Sequence, residues 1–134
     1  MKKLMLAAAL LALPALSSVA AQPAFPTEWQ GKDKWCPQSN MPLEKVYTRR
    51  AECYLFDHIT LTADRYEREK LACRLLSGHE GKHRLGRIYH AVMSCQGEHE
   101  RWFERADFFT PFPADFLVVK TIARASKIAD LDSQ

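Results

Sequence analysis

Residues 86–111 read GRIYHAVMSCQGEHERWFERADFFTP, and the periodicity of this stretch sets how the rest of the chain is read. Ile88, Val92, Cys95, His99, Trp102 or Phe103, and Ala106 recur at steps of three and four, the spacing of one face of an α-helix. Gln96, Glu100, Arg101 and Glu104 fall on the opposite face, so the stretch predicts an amphipathic helix. On its N-terminal side, Ser77, Gly78, Gly81 and Gly86 mark a loop. Before that loop, Leu43, Tyr47, Ala51, Tyr54 and His58, then Leu61, Thr62, Tyr66, Cys73 and Leu76, repeat at helical spacing. They predict one helix or two over residues 42–77, opened by Pro42 and with any break near Asp57 to Thr62. On the C-terminal side, Thr110-Pro111-Phe112-Pro113 interrupts the chain. Pro113 then opens a last helix with Phe116, Leu117, Val119, Ile122, Ala123 and Ile128 on its apolar face. No segment shows a sustained alternation of β-branched residues. The expectation is an all-α fold, a small three- to four-helix bundle, with residues 22–134 as a single helical domain. Residues 22–42 carry Pro23, Pro26, Pro37 and Pro42 with Phe25, Trp29 and Trp35, and read as an irregular, extended lead-in laid over the core.

The beginning of the chain has a different character. Lys2 and Lys3 precede an apolar run from Leu4 to Leu16, interrupted by Pro14, and Val19-Ala20-Ala21 offers small residues for cleavage before Gln22. This is the three-part layout of a secretory signal peptide, residues 1–21, and it implies a periplasmic or secreted protein with no membrane insertion after cleavage. The 19 Lys and Arg fall to 17 when Lys2 and Lys3 are removed, against 16 Asp and Glu, so the formal charge of +3 becomes +1. The charges are interleaved, as in Arg65-Tyr66-Glu67-Arg68-Glu69-Lys70. Nucleic-acid binding therefore has no electrostatic basis in the composition.

Four Cys in an exported chain point to two disulfides. Cys73 and Cys95 flank the Gly-rich loop, so an antiparallel hairpin brings them close to register, and Cys36 in the lead-in can fold back on Cys53. The favoured pairing is Cys36–Cys53 with Cys73–Cys95; Cys36–Cys73 with Cys53–Cys95 is second.

His79-Glu80-Gly81-Lys82-His83 matches H-E-x-x-H, in which two His one helical turn apart bind zinc and the Glu activates water. The run continues to His90 and resembles the extended metzincin signature, with one residue too many before the last His. That resemblance implies a small zinc metallopeptidase with Glu80 as catalytic base and His79, His83 and His90 as zinc ligands. Against it stand the glycines, which favour a loop, and Lys82 and Arg84, which place positive charge beside a dication. Cys95 and His99, four apart, offer a third reading as a metal or haem carrier. The crowded aromatics suggest contact with a macromolecule instead: Trp29, Trp35, Phe108, Phe109 and Phe112 exceed what one helical stripe needs and form a candidate partner-binding set. The expected function is an exported, periplasmic-type helical binding protein, without a cofactor. It would act on a protein partner in the cell envelope, as an inhibitor, immunity-type or accessory protein.

Overall fold

The computed structural model describes residues 22–31, 34–40, 44–53, 58–68, 70–112 and 115–133. The segment read as a signal peptide, Pro42, Tyr54 and Pro113 lie outside them. The all-α helical bundle is not what this chain forms. Among the described residues there is no α-helix, only eight strands and two short 3-10 turns, at Thr27–Trp29 and Ile128–Ser133. The strands are β1 (Lys34–Asn40), β2 (Glu44–Arg50), β3 (Thr60–Leu61), β4 (Arg65–Arg68), β5 (Leu71–Gly81), β6 (Gly86–Gln96), β7 (Arg101–Pro111) and β8 (Phe116–Ala125).

The segment expected to be a helix over residues 88–106 is the β6–β7 hairpin, turning at Gly97 to Glu100. The two periods coincide at i and i+4, which share a face in a helix and in a strand alike. Ile88 and Val92 therefore fit both, and they lie together on the outer face of β6, half-buried. The discriminating set is Tyr89, Ala91, Met93 and Cys95, which alternates and is buried throughout. Along β7, Glu104, Ala106 and Phe108 are the buried alternates. A small residue and a carboxylate at core positions hide the period of two, because Ala91, Ala106 and Glu104 do not read as a hydrophobic face.

The sheet order is β1-β2-β8-β7-β6-β5-β4-β3, with every pairing antiparallel. It is closed into a near-barrel by Trp35 and Ile59, whose amides exchange hydrogen bonds of 3.2 and 2.9 Å between β1 and the residue before β3. β3 to β8 form a continuous meander, and the β1–β2 hairpin is inserted between its two ends. Beyond β2, the Cys36–Cys53 bridge ties the chain at Cys53 to β1. The second bridge, Cys73–Cys95, joins directly opposed residues of β5 and β6 with Cα atoms 4.0 Å apart. Both are the pairs favoured from spacing, although strands rather than helices bring them together.

Eight strands enclose a space that side chains can fill. Phe25, Trp29, Trp35, Tyr47, Tyr66, Met93, Phe108 and Leu117 fill it here, all nearly inaccessible. The lead-in is the source of three of these. Phe25 is anchored by its amide on the Ala63 carbonyl at 2.8 Å, and the Trp35 indole donates to the Trp29 carbonyl at 3.0 Å. Towards the opposite end the interior is polar. Glu104 accepts from the Trp102 indole at 3.0 Å and from Thr121 at 3.3 Å, and pairs with Arg124 at 2.9 Å. A buried carboxylate is tolerated because it is paired and hydrogen-bonded.

Tyr66, deep in this interior, has its pKa pushed well above the ordinary tyrosine value, by burial first and then by Tyr47, with which it hydrogen-bonds. A raised folded-state pKa means that folding favours the protonated phenol. The contribution is complete below the unfolded value of about 10 and is lost as pH rises beyond it. Urea denaturation across alkaline pH should show stability falling above about pH 10, with a smaller fall in Tyr66→Phe. An equal fall in both proteins would remove Tyr66 as its source.

Candidate functional site

One end of the barrel gathers the β5–β6 loop, the β7–β8 loop and the first 3-10 turn. The two loops abut because Gly86 has no side chain: a Cβ there would lie 2.2 Å from the Thr110 carbonyl oxygen and 2.7 Å from Pro111 Cα. The close approach lets the Phe112 amide donate to the Leu85 carbonyl at 2.8 Å. His83 shapes the tip. Its Nδ1 accepts from the Leu85 amide at 3.1 Å, and its ring rests 4.6 Å from that of Phe109. Leu85 and Phe112 are thereby presented to solvent, 59% and 69% exposed, and Phe116 opens β8 at the same end, 41% exposed.

Beneath these tips is an open cleft of about 690 Å³, lined by Glu28, Glu80, Lys82, His83, Arg84, Arg87 and Phe112 among others. Arg87 organises it. Its guanidinium binds Glu28 on the 3-10 turn and donates to Glu80 on β5, the Nε contact being 2.6 Å. The hydrogen bond with Glu28, followed by that with Glu80, pushes the Arg87 pKa up and keeps it charged. These groups are partly exposed, so the triad adds little stability; it ties the lead-in to the hairpin. Burial, followed by the Glu80 charge, raises the Tyr89 pKa. Arg49 donates to the Glu28 carbonyl and lies 4.4 Å over the Trp35 ring, closing the adjoining side.

The metallopeptidase reading loses its geometry here. His79 and Glu80 are consecutive on a strand and project to opposite faces. His79 lies beside His90 on the outer wall, with ring centroids 5.1 Å apart, while Glu80 is held by Arg87 at the mouth. His83 belongs to the loop, and His90 Nδ1 is 2.8 Å from Asp107. No group of three or more His, Cys, Asp or Glu side chains among the described residues could hold a metal ion. The Cys95–His99 pair is also separated: Cys95 is buried in a disulfide, and the His99 side chain on the β6–β7 turn is 88% exposed.

The aromatic set divides. Trp29, Trp35 and Phe108 belong to the core at 2%, 1% and 0% exposure, Phe109 is half-buried on the outer wall, and Phe112 stands at the mouth. Leu85 was not among the residues the sequence singled out. Its signal is a lone large apolar residue amid Lys82, His83, Arg84 and Gly86, in a turn too polar to need it.

The chain matches no family model, no curated protein and no solved structure.

Proposed function

We propose that this is an exported binding protein that engages a protein partner of the cell envelope through the mouth built from the β5–β6 and β7–β8 loops. The observation that carries this reading is the pair Leu85 and Phe112, two large exposed apolar residues joined through their backbones, with Phe112 lining a cleft with charged walls. An apolar anchor with a polar rim is the usual anatomy of a protein interface. Two disulfides support an oxidising compartment. The packed interior speaks for a surface mode of action, since the barrel axis is occupied by Phe25, Trp29 and Phe108. The outer wall is mixed: Ile88, Val92 and Phe109 lie on it, but Arg65, Arg74, His90, Asp107 and Lys120 at outward positions interrupt the continuous apolar band that faces lipid in a membrane barrel.

Immobilised protein should capture a specific partner from an envelope extract, and the double variant Leu85→Asp/Phe112→Asp should lose it. The partner's affinity for the variant should fall by roughly 30-fold or more, the scale of losing one hot-spot residue. Both positions are exposed, so unfolding midpoints of the two proteins should agree closely. Equal retention of the same partner by both proteins would move the interface elsewhere.

A further inference from the structure

The outer wall near the other end of the barrel carries a cluster that neither the mouth nor the core uses. Arg65 on β4 is directly opposite Arg74 on β5, and Arg74 is directly opposite Ser94 on β6. One outward row along, Ala72, Gln96 and Arg101 lie opposite one another on β5, β6 and β7. The three arginines, with Ser94 and Gln96, line a hollow of about 280 Å³, left open between them because Ala72 and Ser94 are small. Like charges directly opposite on neighbouring strands destabilise a sheet. Several other cations are paired with carboxylates: Lys34 with Glu52, Lys70 with Glu98, Arg87 with Glu28 and Glu80, Arg105 with Asp132 and Arg124 with Glu104. Among the described residues no ion pair is formed by Arg65, Arg74 or Arg101. The nearest acidic residue by register is Glu67, opposite Ala72, and it is not among the residues that line the hollow.

We infer that this hollow is a binding site for a tetrahedral oxyanion, a phosphate or sulfate group borne as a monoester. A planar guanidinium matches two oxygens of such a group at once. Three of them around one hollow suit a group with three terminal oxygens, charged −1 as a sulfate ester and approaching −2 as a phosphate monoester, whereas a carboxylate would be matched by one. The Ser94 hydroxyl and the Gln96 amide add neutral donors. With an anion between them, the opposed arginines change from a repulsive pair into two halves of a clamp. The guanidiniums remain exposed, so binding is salt-dependent.

Titration of the mature, oxidised protein with inorganic phosphate and methyl phosphate, followed by amide and arginine Nε–H NMR signals, tests the site against sodium chloride of matched ionic strength. Shifts should concentrate on residues 65, 72–74, 94–96 and 101, and Arg74→Gln should weaken binding at least tenfold. Thermal unfolding gives an independent reading. Without phosphate, Arg74→Gln should be as stable as the wild type or more so, because the repulsion is relieved; with phosphate, only the wild type should gain. A parallel arm with vesicles containing phosphatidic acid identifies the source. Arg74-dependent vesicle binding assigns a lipid headgroup, and binding of methyl phosphate without vesicle binding assigns a free ester. Shifts no larger than those with chloride, or equal affinity in Arg74→Gln, would overturn the inference.

Discussion

Phe108→Ala should cost about 3–5 kcal/mol of folding stability, the range for deleting a fully buried aromatic ring whose neighbours cannot close the gap. Phe108 is the hub of the barrel interior. Its ring centroid lies 4.9 Å from Phe25, 5.6 Å from Tyr66 and 6.4 Å from Trp29, and it is flanked by Tyr89 on β6 and Val119 on β8. Phe25 and Trp29 belong to the lead-in, so the substitution removes the contact surface on which that segment rests. A domain of this size has about 5–15 kcal/mol in total, which makes the loss a large share of it. Urea unfolding with an unchanged slope is the measurement. Phe109→Ala serves as the control: its ring is half-buried on the outer wall against His83, and its loss should be clearly smaller. Equal losses would contradict the assignment of Phe108 to the interior.

The second large effect concerns Cys73–Cys95. Replacing both residues by Ala should lower stability by about 3 kcal/mol from the loop-closure entropy of a cross-link spanning this separation of 22 residues. Both half-cystines are buried, at 2% and 1% exposure, so lost packing adds to the entropic part. Cys36–Cys53 has a similar separation of 17 but ties an exposed passage beyond β2, where Ala51 and Glu52 are open to solvent. Its removal should therefore loosen the β1–β3 closure before it affects the β5–β6 hairpin. Hydrogen exchange on the two double variants separates these outcomes. Faster exchange first at Trp35 and Ile59 is expected when Cys36–Cys53 is absent, and a uniform response of both variants would show that the bridges brace the whole barrel equally.

The pairing of these cysteines was legible because antiparallel partners lie at equal distances from their turn, whatever conformation the arms adopt. Cys73 and Cys95 flank the same glycine-marked reversal in a helical hairpin and in the β5–β6 hairpin, so an incorrect secondary structure still leads to the right bridge. The strand period itself was obscured. Ile88 and Val92 satisfy both periodicities, Glu104 places a charge at a core position, and bulges at Leu76 in β5 and at Ile122 in β8, opposite Arg105 and Ala106, insert extra residues mid-strand. At the site, Phe112 was visible as an aromatic beside two prolines, whereas Trp29, Trp35 and Phe108 looked equally available and proved to be core. Exposure is decided by which face of a closed sheet a residue occupies, and a list of aromatics does not contain that information.

By itself the sequence ranked the cysteine pairs correctly and suggested that aromatics of the lead-in pack on a core, since both follow from proximity along the chain and from hydrophobicity. The tertiary structure alone decided the rest. Closure of the sheet sends His79 and Glu80 to opposite faces and dissolves the zinc signature. The abutting loops lift Leu85 and Phe112 together. Most of all, strand register brings Arg65, Arg74 and Arg101 to one hollow in a chain whose 17 basic and 16 acidic side chains, counted from Gln22, nearly cancel. Net charge is a sum that carries no neighbours; register, set by turns and bulges, makes residues 36 positions apart share one surface.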